Sequence, residues 1–178
     1  MTEDKIEQSL LDTLAQIGWD IVNGPTIGPD GTMERRYADV VLERRLEVAL
    51  GRLNPDLQPA QRDEVVKRIV RTGGADLLAD NRDFHTLLTD GVNVEYRHDD
   101  GSVRTTQARL FDFDTPENND FVAVNQLTVV QNDINRRPDV VLYVNGLPLV
   151  VIELKNATDS KASLDAAFNQ IQTYKQQI

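Results

Sequence analysis

The sequence predicts an α/β domain: a central mixed, mainly antiparallel sheet flanked by helices, with a helical insertion near residues 34–89. Three observations carry that expectation. Apolar residues recur at helical spacing near both ends of the chain and through its second quarter. From Val92 onward the pattern changes to alternation and to short apolar runs. Asp99-Asp100-Gly101 and Asn145-Gly146 stand between pairs of such runs, as tight hairpin turns require.

In chain order, residues 4–17 (DKIEQSLLDTLAQI) set Ile6, Leu10, Leu14 and Ile17 on one helical face, and Gly18 stops the helix. Trp19 packs at its end. A loop rich in glycine and proline follows from Asn23 to Gly31, and residues 34–53 read as helix up to Asn54-Pro55. Pro59 suits a first helical turn, and Val65, Val66, Ile69 and Val70 continue a helix that Gly73-Gly74 closes. A further helix runs from about Asp76 to Thr89, before Asp90-Gly91. VNVEYRH and SVRTTQARLFDF then pair across the first turn, FVAVNQLTVVQ reads as one strand, and residues 161–177 form the last helix. There is no internal repeat. A single domain over 1–178 is expected, with its core at about 1–20 plus 91–178.

Composition narrows the function classes. Hydrophobic residues make up 40% and charged residues 27% of the 178, as in a soluble globular protein. Apolar runs such as LPLVVI fall far short of the roughly 20 residues that span a bilayer, so no membrane partner is expected. The opening MTEDKIEQ is acidic and unlike a secretory leader. Zero cysteines rule out a disulfide scaffold and thiolate metal ligation, and two histidines make a histidine-rich zinc centre a poor fit. A cytoplasmic protein is the simplest expectation. The net charge of -10 argues against phosphate binding in bulk, but the acid is localised. Residues 76–120 hold 11 acids against 4 basic residues, while 34–71 hold 9 basic residues against 7 acids.

Chemistry concentrates in residues 136–156, RRPDVVLYVNGLPLVVIELKN. Two apolar runs flank a turn, yet Asp139 opens the first, and Glu153 and Lys155 close the second. Charges at the ends of buried strands need partners or a metal. Two converging carboxylates make a hard oxygen site for Mg²⁺, which binds one or two protein carboxylates together with water and substrate phosphate. Lys155, two residues after Glu153, projects from the same strand face. It can orient or deprotonate the attacking water, or offset negative charge growing on phosphorus. Register supplies a check. A plain two-residue turn at Asn145-Gly146 would pair Asp139 with Ile152 and put the two acids on opposite faces. Convergence therefore demands a three-residue turn, or a bulge in one strand.

Pro138-Asp139 followed by Glu153-x-Lys155 resembles the PD-(D/E)-x-K nuclease signature. The chain as a whole resembles one branch of it: the N-terminal nuclease region of the R (restriction, motor) subunit of type I restriction-modification enzymes. The resemblance rests on IEQSLLDTLAQIGWD, NRDFHTLLTDGVNVEYR, FDFDTPENNDFVAVNQLTV, RRPDVVLYVNGLPLVVIELKN and the downstream QIQTY. It implies a PD-(D/E)-x-K fold, with Asp139 and Glu153 as metal ligands and Lys155 as the catalytic lysine. Gln170 and Tyr174 become an accessory pair on the following helix, near the DNA backbone. Glu7 matches an additional acid that some relatives supply to the metal, with Glu3 competing for the role. The resemblance further implies Mg²⁺-dependent cleavage of double-stranded DNA, a downstream ATP-driven motor, and partner methyltransferase (M) and specificity (S) subunits. The chain has no GxxxxGK[ST] loop, so ATP belongs to the full-length motor subunit. A longer polypeptide, with a further strand after the last helix, is expected.

Two other readings compete. One is a stand-alone repair or junction nuclease of the same superfamily. The other is a non-catalytic acidic interaction module, which a pI near 4.6 suits. Gln170 and Tyr174, four apart, also fit an ordinary amphipathic helix. His85 reads as structural, and the arginines at 35, 36, 44 and 45 as a solvated face rather than part of the site.

Overall fold

The computed structural model describes residues 2–71, 77–97, 100–155 and 164–177. The elements begin with α1 (Glu3–Gln16), β1 (Asp20–Asn23), α2 (Gly24–Ile27), α3 (Glu43–Leu53) and α4 (Pro59–Val70). They continue with α5 (Leu77–Asp90), β2 (Val92–Arg97), β3 (Val103–Ala108), β4 (Phe121–Asn125) and β5 (Val129–Gln131). The last are β6 (Ile134–Arg136), β7 (Val140–Val144), β8 (Leu147–Ile152) and α6 (Leu164–Gln177). Contacts divide the chain into two compact units, Met1–Leu42 with Phe121–Ile178, and Glu43–Asp120.

The first unit is built on a four-stranded sheet in the order β1-β4-β7-β8. β1 runs parallel to β4, and the β4–β7 and β7–β8 pairs are antiparallel. The sheet is thus mixed and mostly antiparallel. Its central strands read FVAVN and VVLYV, nearly unbroken apolar runs, because both faces are covered. On one face Leu11 and Leu14 of α1 pack with Ala123 and Val140, joined by Trp19, Leu142 and Ile152. On the other, Val122, Val124, Val141 and Tyr143 pack with Ile27, Leu42, Leu127 and Val129. Each such buried aliphatic side chain contributes about 1.5–3 kcal/mol. The Trp19 ring meets Phe121 edge-on, 5.2 Å between centroids.

Several local expectations change. Residues 34–42 are not helical, and helix begins only at Glu43. Arg35 explains this. Its buried guanidinium donates to the carbonyls of Tyr37, Asp39 and Thr128 at 2.8–3.0 Å, and so organises an irregular segment. Asp39 is in turn gripped by Arg36, whose hydrogen bonds and charge outweigh partial burial and keep the carboxyl below its usual range. The expected single strand FVAVNQLTVVQ is two strands, β4 and β5. Gln126 sits at φ 53°, a left-handed position that no pleated strand tolerates. β5 then pairs with β6 across Asn132 and Asp133, both left-handed at φ 50° and 62°. The Gly/Pro-rich loop contains the short α2, and β1 precedes it. β3 ends at Ala108, short of the expected Phe113.

In the second unit, β2 and β3 form an antiparallel pair of their own. Leu46, Ala49, Leu50, Val65, Val66, Ile69, Val92, Val94 and Ala108 are buried there. Asn54, just past α3, accepts from the Arg109 N–H at 2.7 Å and donates to its carbonyl at 2.9 Å. Among the described residues, no helix is long and apolar enough to cross a membrane.

Candidate active site

The site lies where β7 begins and β8 ends. The turn between them is of the two-residue kind, with Asn145 at φ 53° and Gly146 at φ 82°, and Val144 pairs with Leu147. Tyr143 pairs with Pro148, but Leu142 pairs with Val150, so Leu149 is an extra, bulged residue. The remaining ladder runs Val141 to Val151 and Val140 to Ile152. One step further sets Asp139 opposite Glu153. The bulge thus supplies the parity change that convergence of the two acids demands.

Asp139 is pinned at that end. Its Oδ2 accepts the backbone N–H of Leu154 at 2.7 Å. The Glu153 side chain is only 1% exposed, and neither of its oxygens meets a donor in hydrogen-bond geometry. Lys155 Nζ stands 3.8 Å from Glu153 Oε2, with its side chain 26% exposed. Burial raises the Glu153 pKa. The nearby Tyr174 hydroxyl pulls it down, the Asp139 charge pushes it up, and the Lys155 charge pulls it down again. From α6, Tyr174 reaches this point as a buried residue, and its hydroxyl accepts from Gln170 Nε2 at 2.7 Å. Their spacing of four on one helix makes that bond local. Burial pushes the Tyr174 phenol up to about 12, with Gln170 opposing and Glu153 adding.

The donor set suits a hard divalent cation. A buried carboxylate without hydrogen-bond partners, opposite a second carboxylate, is a costly arrangement that a cation relieves. Among the described residues no three of His, Cys, Asp and Glu gather as a cage. Mg²⁺ needs only one or two carboxylates and keeps several waters, so Asp139 and Glu153 fit it.

Asp139, Glu153, Lys155, Gln170 and Tyr174 therefore come together. Glu7, on α1, is held apart from that group. Its Oε1 accepts from Asn125 Nδ2 at 2.8 Å and its Oε2 from Gln126 Nε2 at 2.7 Å. Glu3 is exposed in the first turn of α1, and His85 is exposed on α5. Arg35 is buried and structural. The sequence reading missed Asn125 and Gln126. Their signal was two amides ending an apolar strand, which has many bland explanations.

Comparison with known proteins finds relatives that match along the whole chain. The type I restriction enzyme HindI endonuclease subunit of Haemophilus influenzae is 41% identical over 181 aligned residues, covering 100% of this chain and 17% of that protein. The MjaIXP endonuclease subunit of Methanocaldococcus jannaschii is 27% identical, over 97% of this chain and 17% of that protein. The SauMSSORF170P endonuclease subunit of Staphylococcus aureus is 26% identical, over 99% of this chain and 17% of that protein. The chain thus spans about a sixth of the length of these relatives. Residues 1–178 match the family described as the type I restriction enzyme R protein N terminus, and the chain belongs to that family.

Proposed function

We propose that this chain is the nuclease domain of its subunit, of PD-(D/E)-x-K type, and that it hydrolyses phosphodiester bonds of double-stranded DNA with Mg²⁺. The observation that carries the reading is the buried Glu153 carboxylate, without hydrogen-bond partners, opposite Asp139 and beside Lys155.

Asp139 and Glu153 would hold the cation, which when bound supplies positive charge to the phosphate and acidity to water. The chain's own groups do the rest. Lys155, partly exposed on the Glu153 side, places an ammonium where charge builds on the phosphoryl oxygens. Tyr174 stays protonated near neutral pH and is a hydrogen-bond donor rather than a base, oriented by Gln170. The attacking water forms a bond to phosphorus, the bond to the leaving oxygen breaks, and a proton returns to that oxygen. In the whole protein, ATP drives a downstream motor along the DNA. M and S subunits choose the target, in the cytoplasm of the cell.

Asp139→Asn in the full-length subunit, assembled with its partners, tests the reading. Plasmid cleavage is expected to be lost while ATP hydrolysis continues. Cleavage near the native rate would overturn it.

A further inference from the structure

The β5–β6 hairpin is fixed at its root and bare at its tip. The buried Arg35 guanidinium donates to the Thr128 carbonyl at 2.8 Å and to the Tyr37 carbonyl at 3.0 Å. That same Tyr37 carbonyl accepts the Val130 N–H at 3.0 Å. Val129, 2% exposed, belongs to the core on that face of the sheet. Burying a guanidinium is costly unless it is well hydrogen-bonded, so the root of this short ribbon is held by a demanding device. Asn132 and Asp133 then turn the chain with left-handed φ of 50° and 62°, as tight two-residue hairpins require. Gln131, Asn132, Asp133 and Asn135 are all exposed.

The strand leaving the hairpin runs directly into the candidate centre. β6 ends at Arg136, Pro138 is buried, and Asp139 follows. Arg137 is exposed between these fixed points, and the proline after it favours an extended backbone there. Asn135 and Arg137 are two apart, the spacing that sets side chains on one face of an extended chain. Arg137 is also two residues from Asp139, at most about 7 Å of chain. Phosphates on one DNA strand follow one another about every 3.4 Å along the axis, so this guanidinium lies within about two phosphates of one held at the cation.

The charge of Arg137 is uncommitted. Of the four arginines in this unit, Arg35 engages three carbonyls, Arg36 grips Asp39, and Arg136 donates to the Asn135 carbonyl. Among the described residues nothing pairs with Arg137. A chain of net charge -10 needs such a cation where it approaches phosphate. Size fits as well. Three residues per strand make a ribbon of about 10 Å, and the major groove, about 8.5 Å deep, admits a two-stranded ribbon.

We propose that the β5–β6 hairpin and Arg137 form a DNA-holding arm: the ribbon enters the major groove, and Arg137 contacts a phosphate beside the scissile one. This rests on the proposed nuclease reading. The exposed amides of Gln131, Asn132 and Asn135 meet base edges or their water, while the phosphate contact fixes the duplex in register at the centre.

The test uses the assembled full-length subunit, with plasmid cleavage and ATP hydrolysis followed together. Arg137→Ala is expected to slow cleavage about tenfold at about 50 mM salt and to leave ATP hydrolysis unchanged. Losing one phosphate contact flattens the salt dependence, so the native-to-variant ratio should shrink about threefold by about 200 mM. Arg137→Lys keeps the charge and is expected to restore most of the rate and the native salt dependence. In a Lys155→Ala background, which leaves the DNA uncut, Gln131→p-benzoylphenylalanine is expected to photo-crosslink to the duplex. A native rate for Arg137→Ala, a ratio that does not change with salt, or the absence of a crosslink from position 131 would each overturn the arm. If Asp139→Asn abolishes cleavage in the same assay, the nuclease reading survives that failure. If Asp139→Asn cleaves as the native subunit does, the nuclease reading falls, and this inference with it.

Discussion

Asp139 and Leu154 are joined by a 2.7 Å bond from a backbone N–H to a carboxylate oxygen, and Leu154 is the residue between Glu153 and Lys155. One acid of the centre is therefore tied to the main chain that carries the other acid and the lysine. The arrangement orders all three groups with a single contact.

That contact can be separated from the charge. Asp139→Asn and Asp139→Ala both remove the carboxylate, but only the asparagine keeps an oxygen for Leu154. Asp139→Ala leaves a partly buried N–H unmet, a cost of about 1–3 kcal/mol. The alanine variant is expected to melt about 2–8 °C below the asparagine variant. Equal melting temperatures would show that the bond does not hold the strand ends together.

Glu153 predicts a pH-dependent stability. Its folded pKa is raised above the ordinary 4.5, chiefly by burial, so the folded state holds the proton more tightly than the unfolded chain does. Its contribution is fully present below pH 4.5 and is lost as pH rises through the folded value. In EDTA, Glu153→Gln is expected to be more stable than the native protein at neutral pH, by about 1 kcal/mol, with the gap closing in acid. A glutamine variant less stable at neutral pH would contradict this. Cleavage is lost in either case.

Tyr174 predicts a pH-independent defect. Its phenol, raised to about 12, stays protonated across the working range and serves as a donor. Tyr174→Phe is expected to slow cleavage by about tenfold to a hundredfold, the worth of one hydrogen bond of about 1.4–2.7 kcal/mol in the transition state. The factor should be the same at about pH 7 and about pH 9. A loss that grows with pH would indicate a base.

The bulge predicts the outcome of a deletion. Leu149 is 41% exposed, so removing it takes little from the core. Deletion closes the bulge and leaves a regular ladder in which Glu153 still stands opposite Asp139. Cleavage is expected to stay within about tenfold of native, a change of at most about 1.4 kcal/mol in transition-state stabilisation, with cooperative unfolding retained. A fall of more than about a hundredfold would mean that the bulge itself, and not the pairing of the two acids, sets the site.

What the sequence disclosed follows physical range. Helix α1 was legible from the stripe through Leu10 and Leu14, and the β7–β8 hairpin from Asn145-Gly146, because both signals are local. The parity argument reached further: it required an odd residue between the two acids, and Leu149 provides it. Long-range pairings left no such trace. β1 is a strand because β4, about a hundred residues on, lies beside it. The alternation of residues 92–108 announces strands but not the sheet they join. Gln126 broke a strand without glycine or asparagine to mark a left-handed turn, and Arg35 dissolved an expected helix by offering its carbonyls a better donor. In the site, Asp139, Glu153 and Lys155 were legible as charges ending apolar runs. The Glu7 clamp was not, since nothing near Glu7 in sequence points to Asn125 or Gln126.

The central claim is that the charges at the ends of β7 and β8 form a nuclease centre. Lys155→Ala in the assembled full-length subunit addresses it most directly, with plasmid cleavage and ATP hydrolysis followed in the same tube. The account predicts that cleavage disappears while ATP hydrolysis persists. Cleavage surviving near the native rate would make Lys155 an ordinary strand-end charge and contradict the account.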